Sequence, residues 1–219
     1  MKKKNKVIVV GSGPGGCLTS KILNEKGLDV LLIEKGNFYN LNEHVPFSSN
    51  EMTNKYKNGG LTVTFGKTKI NYVEGMCVGG GSEVNSGLYH RLPNDILKKW
   101  ERKNNLLFDR LFLEESYLQN EKDLSISYLQ GQVPKSSEKL ICGSKSLGWN
   151  CVEVPRWFKY NNSRSNEGVK QSMTETYIPK FLNNGGTLLT KTTVEKISKN
   201  GKLNLVHVLQ DGIPSTFQC

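Results

Sequence analysis

The chain lacks any long hydrophobic run. No apolar stretch reaches the roughly 18 residues that a membrane-spanning helix needs, so no membrane span is predicted. Histidine is scarce, with three among 219 residues, which leaves few candidates for metal ligation or base chemistry near neutral pH. The five cysteines (Cys17, Cys77, Cys142, Cys151, Cys219) are odd in number and lack the paired spacing of a metal site or a disulfide framework. They suit reduced thiols and, with them, a cytoplasmic location. Acidic residues are outnumbered by basic ones, 20 against 30, for a net charge of +10. The lysines are dispersed and only Lys2-Lys3-Lys4 forms a run, so the excess reads as solvated faces and no nucleic-acid partner is predicted. Met1–Lys4 ahead of Val7–Val10 has the order of a signal peptide, but the apolar run stops after four residues at Gly11.

What is present is an ordinary globular balance, 36% hydrophobic and 23% charged, with a clear pattern at the start. Val7–Val10 is a continuous apolar run, as in a parallel strand buried on both faces. Cys17, Leu18, Ile22 and Leu23 recur at helical spacing and stop at Gly27, and Val30–Ile33 supplies a second buried strand. This is a βαβ-type start. Leu41 to Pro93 is polar and glycine-rich, with a turn at Gly59-Gly60 and a second glycine cluster from Gly75 to Gly87. Ile96, Leu97, Trp100, Leu106, Leu107, Leu111, Phe112 and Leu113 predict amphipathic helices, and Lys139–Leu147 another. Gly168–Phe181 is expected to be helical up to the break at Gly185-Gly186. Thr187–Ile197 and Lys202–Leu209 then alternate as a hairpin across Lys199-Asn200-Gly201.

Gly11, Gly13 and Gly16 have the G-x-G-x-x-G spacing in the context that gives it meaning: after a strand, opening a helix, with an acidic residue about 20 positions on. Gly11 suits the tight turn, Gly13 the approach of a pyrophosphate, and Gly16 close packing of helix on strand. The helix N-terminus, with Pro14 and Gly15 in its first turn, offers free N–H groups to phosphate. Glu34, followed by Lys35, closes the second strand, where a carboxylate can accept from both ribose hydroxyls and repel a 2′-phosphate. Ser20 is the small residue expected where the helix faces the sheet. Gly36 completes a Glu-x-Gly ending common in FAD-binding Rossmann domains, and Gly75–Asn85 is a second glycine segment with spaced apolar residues Val78 and Val84. Together they favour FAD over NAD.

With these residues in view, the sequence resembles the glucose–methanol–choline oxidoreductases. Gly75, Val78, Gly79, Gly80, Gly81, Ser82 and Asn85 fit the family's stretch along pyrophosphate and flavin, and Tyr89 falls on a usual aromatic position. The likeness continues through Trp100, Lys170–Tyr177 and Thr192–Ile197. Met76, where a basic residue is usual, and Leu92, where a small residue or proline is usual, depart from it. The resemblance implies an α/β fold: a Rossmann-like FAD-binding domain plus a helical or irregular insert, with the C-terminal part of the family fold missing. The domains are then 1–93 and 167–219 for FAD, with 94–166 as insert and partial substrate cap.

It also implies oxidation of a CH–OH donor, a small-molecule alcohol, with hydride passing to flavin N5. The FAD would be non-covalent, because Val84 stands where some members attach flavin through histidine. Candidate cofactor residues are Gly11, Gly13, Pro14, Gly15, Gly16, Glu34, Lys35, Gly79, Gly80, Ser82, Asn85 and Val194, the last bringing its backbone against adenine.

No catalytic or metal-binding residue is assigned. The family's general base is a late histidine in a region that follows the hairpin. His44 reads as a surface loop residue, His90 follows the flavin segment, and His207 reads as a solvent-facing strand position. Trp149, Trp157, Phe158 and Tyr160 suit either a substrate cleft or aromatic packing. The isolated chain is therefore expected to be inactive, with a complementing C-terminal half as a candidate partner. The alternative is a truncated, non-catalytic FAD- or nucleotide-binding remnant, or one half of a split enzyme.

Overall fold

A computed structural model describes residues 6–161 and 166–219, so the Lys2-Lys3-Lys4 run lies outside the described residues. The chain divides into two compact units, Met1–Asn85 with Ser172–Cys219, and Ser86–Gln171.

The first unit begins with β1 (Lys6–Val10), a glycine turn, α1 (Pro14–Glu25) and β2 (Asp29–Ile33), which lies parallel to β1 with Val10 opposite Ile33. Proline at the first helical position suits α1, because its fixed φ is helical and its missing N–H would be unsatisfied there anyway. Next come α2 (Ser49–Lys55), the two-residue strands β3 (Thr62–Val63) and β4 (Asn71–Tyr72), and the single-turn α3 (Gly81–Val84).

The second unit holds α4 (Asn94–Asn104), α5 (Arg110–Asp123), β5 (Ile126–Ser127), α6 (Lys135–Ser146), β6 (Arg156–Tyr160) and β7 (Gly168–Lys170). Its three short strands form an antiparallel sheet in the order β5-β6-β7. Of the predicted amphipathic residues, Leu97 is buried, whereas Leu106 and Leu107 fall in the turn between α4 and α5 and are exposed. Arg91 ties the chain before α4 to α5, bonding Glu114 at 2.8 Å and Glu121 at 2.5 Å and lying over the Tyr117 ring.

The chain returns to the first unit through α7 (Tyr177–Asn183), β8 (Thr187–Leu189), β9 (Thr192–Asn200), β10 (Leu203–Gln210) and β11 (Ile213–Gln218). The helix expected over Gly168–Phe181 is confined to its end. Gly168–Lys170 instead pairs with β6, and the Met173 and Thr174 amides donate to Ser82 and Glu83, which keeps that backbone out of a helix. The strand expected over Thr187–Ile197 is two strands, broken at Thr190-Lys191: β8 joins β2 in parallel, and β9 pairs with β10. β11 pairs antiparallel with β10, although Pro214 and its polar neighbours give it little strand character in sequence.

The core lies between these layers. Leu31 and Ile33 of β2 pack with Val206 and Val208 of β10, joined by Ile8, Leu189, Val194 and Phe217. By strand alternation Val30 and Leu32 face the other side, where α1 and α7 bury Cys17, Ser20, Ile178 and Phe181. Asn184 Nδ2 donates to Asn24 Oδ1 at 2.6 Å between the two helices. β1 departs from the expectation of burial on both faces: Val7–Val9 are half-buried and Val10 is 51% exposed. The reason is its place at the edge of the sheet, whose order is β1-β2-β8.

Candidate nucleotide-binding site

The glycine turn between β1 and α1 is held by β2 on one side and by α1 on the other. The Gly11 amide donates to the Ile33 carbonyl at 2.8 Å, which fixes the turn against the end of β2. A Cβ on Gly16 would overlap the Gly11 carbonyl oxygen, so only glycine lets α1 pack this closely on the turn. By contrast, a Cβ at Gly13 or Gly15 would meet nothing within 4 Å, and Pro14 and Gly15 are exposed. The first-turn N–H groups of α1 lack intrahelical acceptors and carry the positive end of the helix dipole. Open backbone at a helix N-terminus suits a pyrophosphate.

Glu34 is buried at the end of β2 and holds three bonds within the protein. Its Oε2 accepts from the Ser12 amide at 2.8 Å and the Ser12 hydroxyl at 2.6 Å; its Oε1 accepts from the Gly36 amide at 2.8 Å. Lys35 beside it is exposed.

Gly75–Asn85 comes to the same place. A Cβ on Gly36 would overlap the Met76 carbonyl and the Cys77 backbone, and one on Gly80 would stand 3.0 Å from the Gly13 Cα. The Gly79 amide donates to Ser12 Oγ at 3.2 Å. Ser82 is fully buried: its Oγ donates to the Gly79 carbonyl at 2.8 Å and accepts from the Met173 amide at 3.1 Å. Glu83 accepts from the Thr174 amide and hydroxyl. The structure thus brings together Gly11, Gly13, Gly16, Glu34, Gly79, Gly80 and Ser82. Asn85 is exposed at the end of α3, and Val194 lies in β9 against the core. Ser12, Gly36 and Thr174 also join the site, although none is among the candidate ligands that the sequence suggests. Ser12 gave a signal only in being small and flanked by glycines.

Burial in this region disfavours thiolate chemistry. Cys17 donates to the Ser12 carbonyl, and burial, aided by the Glu83 and Glu34 charges, pushes its pKa up to about 12. Burial and the neighbouring Glu83 also raise Glu175 above the usual carboxylate range.

None of the three histidines is presented as a base. His44, expected on the surface, is buried because its ring packs edge-on against Tyr39 at 4.8 Å. His207 is half-buried on β10 and bonds Ser198 at 2.8 Å and Thr216 at 3.1 Å. His90 is exposed in the second unit. Nearby, Tyr89 donates to Glu121 at 2.8 Å, and burial followed by that bond pushes its pKa up to about 12. Trp149 is exposed, whereas Trp157, Phe158 and Tyr160 are half-buried along β6. Among the described residues no group of side chains could hold a metal ion, and no helix is long and apolar enough to cross a membrane.

Comparisons with known proteins agree with this geometry. A family model described as GMC oxidoreductase matches residues 52–213, and one described as FAD binding domain matches residues 4–42. An uncharacterized GMC-type oxidoreductase of Sinorhizobium fredii is 32% identical over 93% of this chain and 42% of its own length. A long-chain-alcohol oxidase of Arabidopsis thaliana, FAO3, is 29% identical over 89% of this chain and 27% of its own. The chain therefore spans less than half the length of these relatives. Among solved structures, pyridoxine 4-oxidase from Mesorbium loti superposes with a TM-score of 0.71 at 16% identity, over 98% of this chain and 47% of that one, which establishes the fold. FAD is the cofactor that the family and the FAD-binding match assign, and the open Gly13 and Gly15 backbone fits its pyrophosphate. The chain belongs to the GMC oxidoreductases.

Proposed function

We propose that this chain forms the FAD-holding part of an oxidoreductase that converts an alcohol CH–OH group to a carbonyl. The observation that carries the reading is the closure of two glycine segments, 67 residues apart at their bonded positions, around Ser12 and Glu34. When bound, FAD supplies the hydride acceptor at flavin N5. Gly11, Gly13, Pro14, Gly15 and Gly16 cradle the pyrophosphate, Glu34 takes the adenosine ribose with Lys35 at its side, and Val194 borders the adenine. Gly79, Gly80, Ser82 and Asn85 carry the flavin side. Binding is non-covalent, with Val84 in place of an attaching histidine. Residues 1–93 and 167–219 serve this site, and 94–166 contributes to a substrate cap.

Alcohol as the donor is supported by the names of the similar proteins, a long-chain-alcohol oxidase and a pyridoxine oxidase. None of the three histidines serves as the proton-accepting base in this reading: His44 is packed on Tyr39, His207 is bonded across its strands, and His90 is exposed in the second unit. A second reading, half of a split enzyme or a non-catalytic remnant, is favoured by one observation. β1 pairs with β2 alone among the described residues, leaving an edge of unpaired backbone groups that another strand could cover.

The test is anaerobic mixing of the FAD-loaded chain with long-chain primary alcohols, alone and with the C-terminal remainder of a GMC relative. Bleaching of the flavin only in the mixture is expected. Bleaching by the chain alone would place the base within these residues, and a mixture that holds FAD but never bleaches would favour the remnant.

A further inference from the structure

Ser12 stands between Gly11 and Gly13 and is fully buried. Its side chain bonds both Glu34 and the second glycine segment: its hydroxyl donates to Glu34 Oε2 at 2.6 Å and accepts from the Gly79 amide at 3.2 Å. Its own amide donates to the same Oε2 at 2.8 Å, and the Gly36 amide occupies Oε1 at 2.8 Å. A carboxylate offers about four lone-pair sites, and three are taken here. The lone pair that remains is on Oε1, which leaves a place for one ribose hydroxyl. A second finds a place only where the Ser12 hydrogen turns away from Oε2.

We propose that Ser12 is a positioning residue that couples the two ends of the FAD site. Its hydroxyl holds the Gly79 amide, and with it the flavin-side segment, in register with the carboxylate that receives the ribose. Without the hydroxyl, Gly79 loses its acceptor in a buried place, while Glu34 gains a free lone pair for ribose. The two ends then respond in opposite directions. This inference rests on the assignment of Glu34 to the ribose and of Gly79 and Gly80 to the flavin side.

The test compares FAD and ADP affinities of the full chain with those of Ser12→Ala by calorimetry, together with amide hydrogen exchange at Gly79. ADP spans the first glycine segment and Glu34 but has no flavin. Loss of one buried hydrogen bond predicts FAD binding weakened about tenfold, with ADP unchanged or slightly tighter. Exchange at Gly79 should speed up, while Thr19→Ala on the exposed side of α1 changes neither. Ser12→Cys, which keeps a side chain of similar shape but bonds weakly, should fall between and carries the comparison if Ser12→Ala does not fold. Equal losses for FAD and ADP, or no loss of FAD, would overturn the coupling. Should the native chain bind neither ligand, the site assignment fails on its own, and unchanged Gly79 exchange in the variant would separately refute the Ser12 link.

Discussion

Gly11–Gly16 and Gly75–Asn85 are similar in composition but achieve their shapes differently. Each presses one glycine onto its own loop, Gly16 against the Gly11 carbonyl and Gly75 against the Gly80 carbonyl. The first is otherwise a self-contained strand–turn–helix, braced by the neighbouring β2 through Ile33 and Glu34. The second is held by distant chain: Ser82 and Glu83 bond Met173 and Thr174, which lie 91 residues away in sequence. A local scaffold leaves Gly13 and Gly15 open for a ligand, whereas a borrowed one uses its side chains for closure. Apart from Ser12, whose hydroxyl reaches Gly79, substitutions in the first segment should therefore act locally, whereas changes at distant anchors such as Thr174 should loosen the second.

The largest effect is expected from Gly16→Ala, which drives a methyl group into backbone that cannot yield cheaply. A loss of about 3 kcal/mol in urea unfolding, with loss of FAD binding, is the predicted outcome. Glu34→Gln comes next, because it exchanges charge-assisted bonds from Ser12 and Gly36 for weaker ones and turns an acceptor into a donor. About 1.5–3 kcal/mol of stability should disappear, measured the same way. Thr174→Val removes the hydroxyl bonded to Glu83 and should cost about 1 kcal/mol, with faster amide exchange in Gly79–Asn85 but not in Gly11–Gly16. Equal acceleration in both segments would erase the distinction between them.

Alkali probes where the segments meet. The folded Cys17 pKa is raised from 9.0 to about 12, so its contribution is fully present below pH 9 and is lost as pH rises toward 12. Stability should decline across that window, and Cys17 should alkylate roughly tenfold or more slowly than the exposed Cys142 and Cys151 at pH 8. Smallest in stability is Gly15→Ala, which fills open space and should shift unfolding by less than about 1 kcal/mol. It should nevertheless weaken FAD binding by crowding the phosphate approach, a separation of binding from stability that Gly16→Ala cannot show.

Much of this was legible in sequence where the determinants are local. The βαβ start follows from Val7–Val10, the glycine spacing and Val30–Ile33, and all three elements are present. The same four-residue apolar signal does not distinguish edge from centre: Val30–Ile33 of β2 are all buried while Val10 of β1 is half-exposed, because strand order is a tertiary fact. Gly168–Phe181 misled for a related reason, since its helical periodicity competes with bonds to β6, Ser82 and Glu83 that lie far off in sequence. His44 looked polar and exposed, and only the Tyr39 ring explains its burial. β11 was invisible, its strand made by pairing with β10 rather than by its own residues.

The most direct test of one site built from two glycine segments is the visible absorption of the purified chain after FAD loading and desalting. Retention of one flavin per chain, lost on Gly16→Ala and displaced by excess ADP, is the predicted result. A native chain that folds yet releases all its flavin on desalting would contradict it.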